Sequence, residues 1–147
     1  MFIFEIFGPP IPQQQTRFTC AGGRPRTWDP SKKDKEHIQW QIKPLAPKEP
    51  LKCPIELAIT FFLAIPKATS SKTRLAMINR VILPNIRPDI DNLAYIITNA
   101  LKGIVYDDDR QVCVQRLYKV YGEEPKTVIT VREILQSQKV GIDADDI

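Results

Sequence analysis

Ile90, Leu93, Ile97, Leu101 and Ile104 recur at steps of three or four residues, the firmest period anywhere in the chain. That spacing lines one face of a helix and predicts an amphipathic helix over residues 91–102, with Gly103 placed to end it. The other elements must pack on that face. Phe2–Phe7 is apolar and β-prone until Gly8-Pro9-Pro10 and Pro12 break it, which predicts an N-terminal strand and a rigid turn. Ile55–Ala64 is mostly apolar along its length, as expected of a strand central in its sheet. Val112–Tyr121 and Thr127–Ile134 read as two strands joined as a hairpin by Gly122-Glu123-Glu124-Pro125. Ser31 is placed to cap a second helix running to about Lys43, in which Ile38 and Ile42 stand four apart. Lys67–Arg80 is polar and basic, with a short helix that Ser70 or Ser71 would cap, and the apolar Val81–Pro84 reads as a short strand. Gln13–Pro30 has no clear period and reads as a mobile basic loop. The order predicts a single α+β domain whose mixed sheet packs against two or three helices.

The scarce residues narrow the chemistry. Cys20, Cys53 and Cys113 form no C-x-x-C pair, and His37 is the sole histidine, so a disulfide framework, a zinc knuckle and a multi-imidazole site are excluded. A metal in this chain would be held by oxygen. No apolar run reaches the ~20 residues of a membrane span, and the N-terminus lacks the charged region and cleavage site of a signal peptide. A cytoplasmic protein without a membrane partner is expected.

The charge is unevenly placed. Residues 1–88 carry fourteen Lys/Arg against six Asp/Glu, whereas residues 89–147 carry seven against eleven. Between Leu57 and Pro88 lie Lys67, Lys72, Arg74, Arg80 and Arg87 without an acid. Such a segment suits a polyanion, and the acids that follow suit a divalent cation. Asp89 and Asp91 stand in R-P-D-I-D-N, and Asp107, Asp108 and Asp109 in Y-D-D-D-R-Q. Pro88 favours an extended Arg87, and if Asp89 is extended too, Asp89 and Asp91 point the same way. Inside a helix they would sit about 200° apart, so shared binding of an ion requires the helix to begin at or just after Asp89. The alternative reading is plain: Asp89 caps the helix, and Asp107–Asp109 form a solvated turn. Three adjacent carboxylates repel one another unless a cation is bound, which favours a metal site for the set. A helix of about 18 Å separates the two clusters, and spacing alone does not bring them together.

R-P-D-I-D-N-L, followed by a helix and then by G-I-V-Y-D-D-D-R-Q-V, resembles the signature of the RusA family of Holliday junction resolvases. The likeness is concentrated in residues 87–112 and extends more loosely to the first strand and the last two. It implies a RusA-like endonuclease domain over residues 1–140, leaving 141–147, with Asp143, Asp145 and Asp146, as an acidic, disordered tail. It also implies that the acidic clusters converge on Mg2+, with Mn2+ as a substitute, and that a homodimer sets two such sites on opposite strands of a four-way DNA junction. By the resemblance, Asp89, Asp91 and Asp109 are the catalytic ligands. Asp108 is a further metal ligand, and Asp107 a less central neighbour.

Where the family carries a lysine, four residues after the second motif aspartate, this chain has Tyr95. The lysine's role then falls to Arg87 or Arg110, or activity is weakened. Lys102, about two turns further on, either reaches phosphate or, by the simpler account, favours the helix C-terminus. Arg17, Lys67, Lys72, Arg74, Arg80, Arg87, Lys102 and Arg110 are the expected DNA contacts, with Arg24 and Arg26 near the first of them, all suited to phosphates rather than base edges. Two other functions fit the same residues: a junction-binding module without catalysis, and a general Mg2+-dependent nuclease of flaps or single strands.

Overall fold

The strand Ile55–Ala64 (β4) sets the architecture. Its odd-numbered side chains, Ile55, Leu57, Ile59, Phe61 and Leu63, are buried, and its alternate residues are mostly half-buried, the period of a pleated strand with one face on the core. In this computed structural model, which describes residues 1–137, 140 and 141, β4 is hydrogen-bonded on both edges. The other strands are Phe2–Phe7 (β1), Val112–Gly122 (β5) and Lys126–Glu133 (β6), and the sheet order is β1-β6-β4-β5. β1 pairs antiparallel with β6, β6 antiparallel with β4, and β4 parallel with β5. The mixed sheet and the α+β class are as expected. Beyond Gly141 the expected tail lies outside the described residues.

The helix Ile90–Leu101 (α3) buries Leu93, Ala94, Ile96, Ile97, Ala100 and Leu101. It packs against the helix Lys32–Ile42 (α1), which in turn rests on β1. These residues join Phe4, Leu57, Ile59, Phe61, Ile129 and Val131 in one hydrophobic core. Gly103 ends α3 with φ +75°, a left-handed conformation that glycine adopts without a Cβ clash. The helix Ser71–Ile78 (α2) is capped by Ser70, whose hydroxyl accepts the Thr73 N–H at 3.3 Å.

Four expectations are corrected. β5 and β6 are not a hairpin: Gly122 lies beside Ala64 and Lys126 beside Phe62, so the link between them crosses the end of β4. Strand β4 thereby gains a partner on each edge, and β5 becomes an outer strand of the sheet, opposite β1. The crossing is tight, because a Cβ on Gly122 would come within 3.0 Å of the Phe62 ring. Val81–Pro84 is not a strand, since the Val81 and Ile82 N–H groups turn back to the Ala76 carbonyl at 2.9 and 3.2 Å. Their donors are spent on closing α2. The stretch Gln13–Pro30 holds a two-stranded ribbon, Arg17–Thr19 (β2) against Arg26–Trp28 (β3). Its root is tied to α3, because the Gln13 N–H donates to the Asn92 carbonyl at 3.0 Å.

The fourth concerns the start of α1. Ser31 occupies the cap position, but its hydroxyl accepts the Gln14 N–H at 2.8 Å instead of a helix N–H. Asp29 organises this corner: it accepts the Ser31 N–H at 2.9 Å and the Gln13 side chain at 3.0 Å, and it pairs with Lys35. The Lys35 bond, chiefly, holds the Asp29 carboxyl below the usual carboxylate range. A carboxyl depressed in the folded state stabilises the fold above its unfolded pKa, and that stabilisation fades as pH falls through the folded value. Asp29→Asn should therefore lower stability at neutral pH and leave a smaller difference from wild type as the pH falls below the ordinary carboxylate range. Urea unfolding at pH 7 and pH 2.5 measures this, and an equal gap at both values would refute it.

Candidate active site

Helix α3 begins immediately after Asp89. This residue is extended (φ −72°, ψ 141°), and its carboxylate makes no capping bond. The capping alternative therefore does not describe it. Asp91 stands in the first turn, where the positive end of the helix favours a negative charge. Both side chains are exposed.

The chain then folds back along α3. After Gly103 the backbone is strapped to the segment leading into β4: the Leu51 N–H donates to the Val105 carbonyl at 2.9 Å, and the Asp107 N–H to the Leu51 carbonyl at 3.2 Å. Tyr106 is fully buried, and its hydroxyl lies 3.2 Å from the Thr98 carbonyl and 3.4 Å from Asp109 Oδ1. Burial first, and the Asp109 charge second, push the phenol's pKa up, so it remains a neutral donor at any working pH. As a result Asp91 and Asp109, eighteen residues apart, line one open cavity of about 440 Å3 with Tyr95, Thr98, Cys113 and Gln115.

Asp89 and Asp108 are outside that lining. Asp108 caps the short turn Asp109–Gln111, accepting the Arg110 N–H at 3.1 Å, which is the main reason its carboxyl is held low. Lys102, at the C-terminal cap of α3, has partners that spacing did not indicate: its ammonium bridges Asp109 at 3.3 Å and Asp108 at 3.5 Å, and this pairing, with Asp109 first, raises its pKa. Among the described residues, no group of three or more His, Cys, Asp or Glu side chains is gathered closely enough to hold one ion. The donor chemistry nonetheless fits a hard divalent cation. Mg2+ keeps several waters and binds through one or two carboxylates, and two carboxylates face this cavity.

The family profile described as "Endodeoxyribonuclease RusA" matches residues 8–132, most of the chain. The chain belongs to the RusA family. It is also similar to the uncharacterized protein YqaN of Bacillus subtilis (strain 168), 27% identical over 135 residues, which cover 89% of this chain and 95% of that protein. Membership makes the chain an endodeoxyribonuclease, a hydrolase of DNA. Among the described residues no helix is long and apolar enough to cross a membrane.

The basic residues of this RusA-family chain do not form one uniform patch. Lys72 and Arg74 lie on α2, Lys67 precedes it, and Arg17 stands exposed on the β2–β3 ribbon. Arg80 comes from an acid-free stretch of sequence but shares a cleft with Glu123, Glu124 and Lys126. Arg87 is exposed before Asp89, and Arg110 is largely exposed with its Nε 3.8 Å from Asp108.

Sequence reasoning left three organising residues without a role. Tyr106 and Gln111 both sit inside the quoted motif, so their positions were visible but their partners were not. Gln111 donates to the Leu51 and Cys53 carbonyls at 2.7 and 3.0 Å, and accepts the Asp108 N–H at 2.7 Å. Lys119 lies in β5 with no local signal at all.

Proposed function

We propose that this chain is a Mg2+-dependent, structure-selective endodeoxyribonuclease that resolves four-way DNA junctions by paired phosphodiester hydrolysis, acting as a homodimer, with Mn2+ able to replace Mg2+. The observation that carries the reading is that Asp91 and Asp109, from opposite ends of the motif, face one open cavity. Asp89, uncommitted at the start of α3, is the third carboxylate assigned to the site. Asp108 contributes from the turn it caps.

When bound, the metal supplies an acidified water and charge stabilisation for the leaving oxygen. The chain's residues do the remainder. Asp91 and Asp109, which line the same cavity, would provide oxygen ligands, and Tyr106 orients Asp109 through its hydroxyl, 3.4 Å from Oδ1. Lys102 pairs with Asp108 and Asp109; a divalent cation would compete with it for these carboxylates, and the released ammonium would then be available to a substrate phosphate. Tyr95, 59% exposed, stands on the cavity wall where the family places a lysine, so the nearby positive charge comes from Lys102 rather than from position 95.

Cleavage of a labelled synthetic four-way junction tests the reading. Symmetric nicks in opposed strands, dependent on Mg2+ or Mn2+, are expected, with linear duplex cut far more slowly. Equal rates on flaps or single strands would favour the general nuclease, and tight binding without nicks would favour the non-catalytic module.

Lys72 and Arg74 share α2 and are assigned to phosphates. Lys72→Ala with Arg74→Ala should weaken junction binding and reduce the slope of log K against log salt by about 2, at roughly 0.9 per phosphate contact. An unchanged slope across a salt titration would remove α2 from the DNA-binding face.

A further inference from the structure

Strand β5 turns its odd-numbered side chains toward α3, and Cys113, Gln115 and Leu117 line the cavity with Asp91 and Asp109. Lys119 is the next side chain on that face, two residues beyond Leu117. Its ammonium donates to the Ile86 carbonyl at 2.8 Å and to the Pro88 carbonyl at 3.1 Å. Residues 83–88 have no regular structure, and these two bonds tie them to the sheet.

The second bond has a direct geometric consequence. A peptide unit is planar, so holding the Pro88 carbonyl also holds the Asp89 nitrogen and Cα. On its other side, the Asp89 carbonyl accepts the Leu93 N–H at 3.1 Å, the first turn of α3. Asp89 is therefore gripped from both ends, by β5 and by its own helix, while its side chain stays free of capping bonds. Lysine suits this place because its ammonium has three donors and no acceptor, and two backbone carbonyls converge on it.

We propose that Lys119 is a positioning residue, a latch that sets the backbone from which Asp89, and after it Asp91, present their carboxylates to a divalent cation. The inference rests on the reading of Asp89 and Asp91 as metal ligands. Outer groups that orient ligands in this way are worth about 10- to 100-fold in metal affinity.

The test uses the full-length protein without DNA. Mn2+ binding is measured by calorimetry, and amide hydrogen exchange is followed over residues 89–93, for wild type, Lys119→Met, Lys119→Arg and Asp91→Asn. Lys119→Met should weaken Mn2+ binding about 10-fold and speed exchange at residues 89–93. Lys119→Arg, which keeps the charge but presents a planar fork in place of a compact ammonium, should recover part of the affinity that Lys119→Met loses. Unchanged exchange in Lys119→Met overturns the latch, and faster exchange with unchanged Mn2+ affinity overturns its positioning role. If wild type and Asp91→Asn bind Mn2+ equally, it is the metal reading of the site that fails, and the exchange data then decide the latch alone.

Discussion

Asp91→Asn is expected to lower single-turnover junction cleavage by about 1,000-fold or more while junction affinity measured in EDTA stays within about twofold of wild type. The substitution keeps the size and shape of the side chain and removes its charge, which is the property a cation requires. Asp91 is exposed in the first turn of α3, so its replacement disturbs no core packing. What the fold loses is a favourable interaction with the helix N-terminus, about 0.3–1 kcal/mol, too little to unfold it. The separation of binding from cleavage is the informative part. DNA affinity comes from Lys and Arg contacts to phosphate, and removing a neighbouring carboxylate slightly favours a polyanion. Rates from a labelled junction with saturating enzyme, set beside gel-shift affinities, decide the matter. If Asp91→Asn retained more than a tenth of the wild-type rate, Asp91 would not be a metal ligand.

Gln111→Ala is expected to destabilise the protein by about 2–4 kcal/mol. One amide group links two segments of the chain, the acidic turn and the stretch before β4: it donates to the carbonyls of Leu51 and Cys53 and accepts the N–H of Asp108. Truncation removes three hydrogen bonds of about 1 kcal/mol each; the Leu51 carbonyl keeps the Asp107 N–H, while the Cys53 carbonyl and the Asp108 N–H lose the amide that paired them. In a domain of this size the loss corresponds to a fall in Tm of roughly 5–15 °C, read by thermal denaturation. The turn carrying Asp108 and Asp109 hangs from that amide, so cleavage should fall in the surviving folded fraction as well. A Tm within about 2 °C of wild type would show that the turn is held by the Leu51 backbone bonds and Tyr106 alone.

These two residues mark the division between what was legible and what was not. The resemblance of R-P-D-I-D-N-L to the RusA signature marks Asp91 as a ligand, while period and helix geometry only place it at the head of its helix, beside Asp89. Gln111 stands in the same motif, yet its partners are sixty and fifty-eight residues away, on the segment before β4. Lys102 looked like a residue favouring a helix end, since chain position says nothing of the turn that brings Asp108 and Asp109 back against it. The hairpin expectation for β5 and β6 failed for a related reason. A short Gly- and Pro-containing link predicts a tight connection, but whether a third strand lies between the two depends on which edges β4 must satisfy.

By itself, then, the sequence determined these elements: a helix over residues 91–102, one residue off the observed Ile90–Leu101, the strand from Ile55 to Ala64, and the oxygen-rich chemistry that one histidine and three scattered cysteines leave available. Those follow from short-range physics, from side-chain period, helix caps and residue chemistry, which act within a few positions along the chain. Only the tertiary structure decided that Asp109 shares a cavity with Asp91, that Tyr106 and Gln111 hold the acidic turn, and that Lys119 reaches across from β5 to the carbonyls before Asp89. Those contacts join residues far apart in the chain, and they form when burial of one hydrophobic core folds α3 onto the sheet and carries the polar groups at its margins into reach of one another.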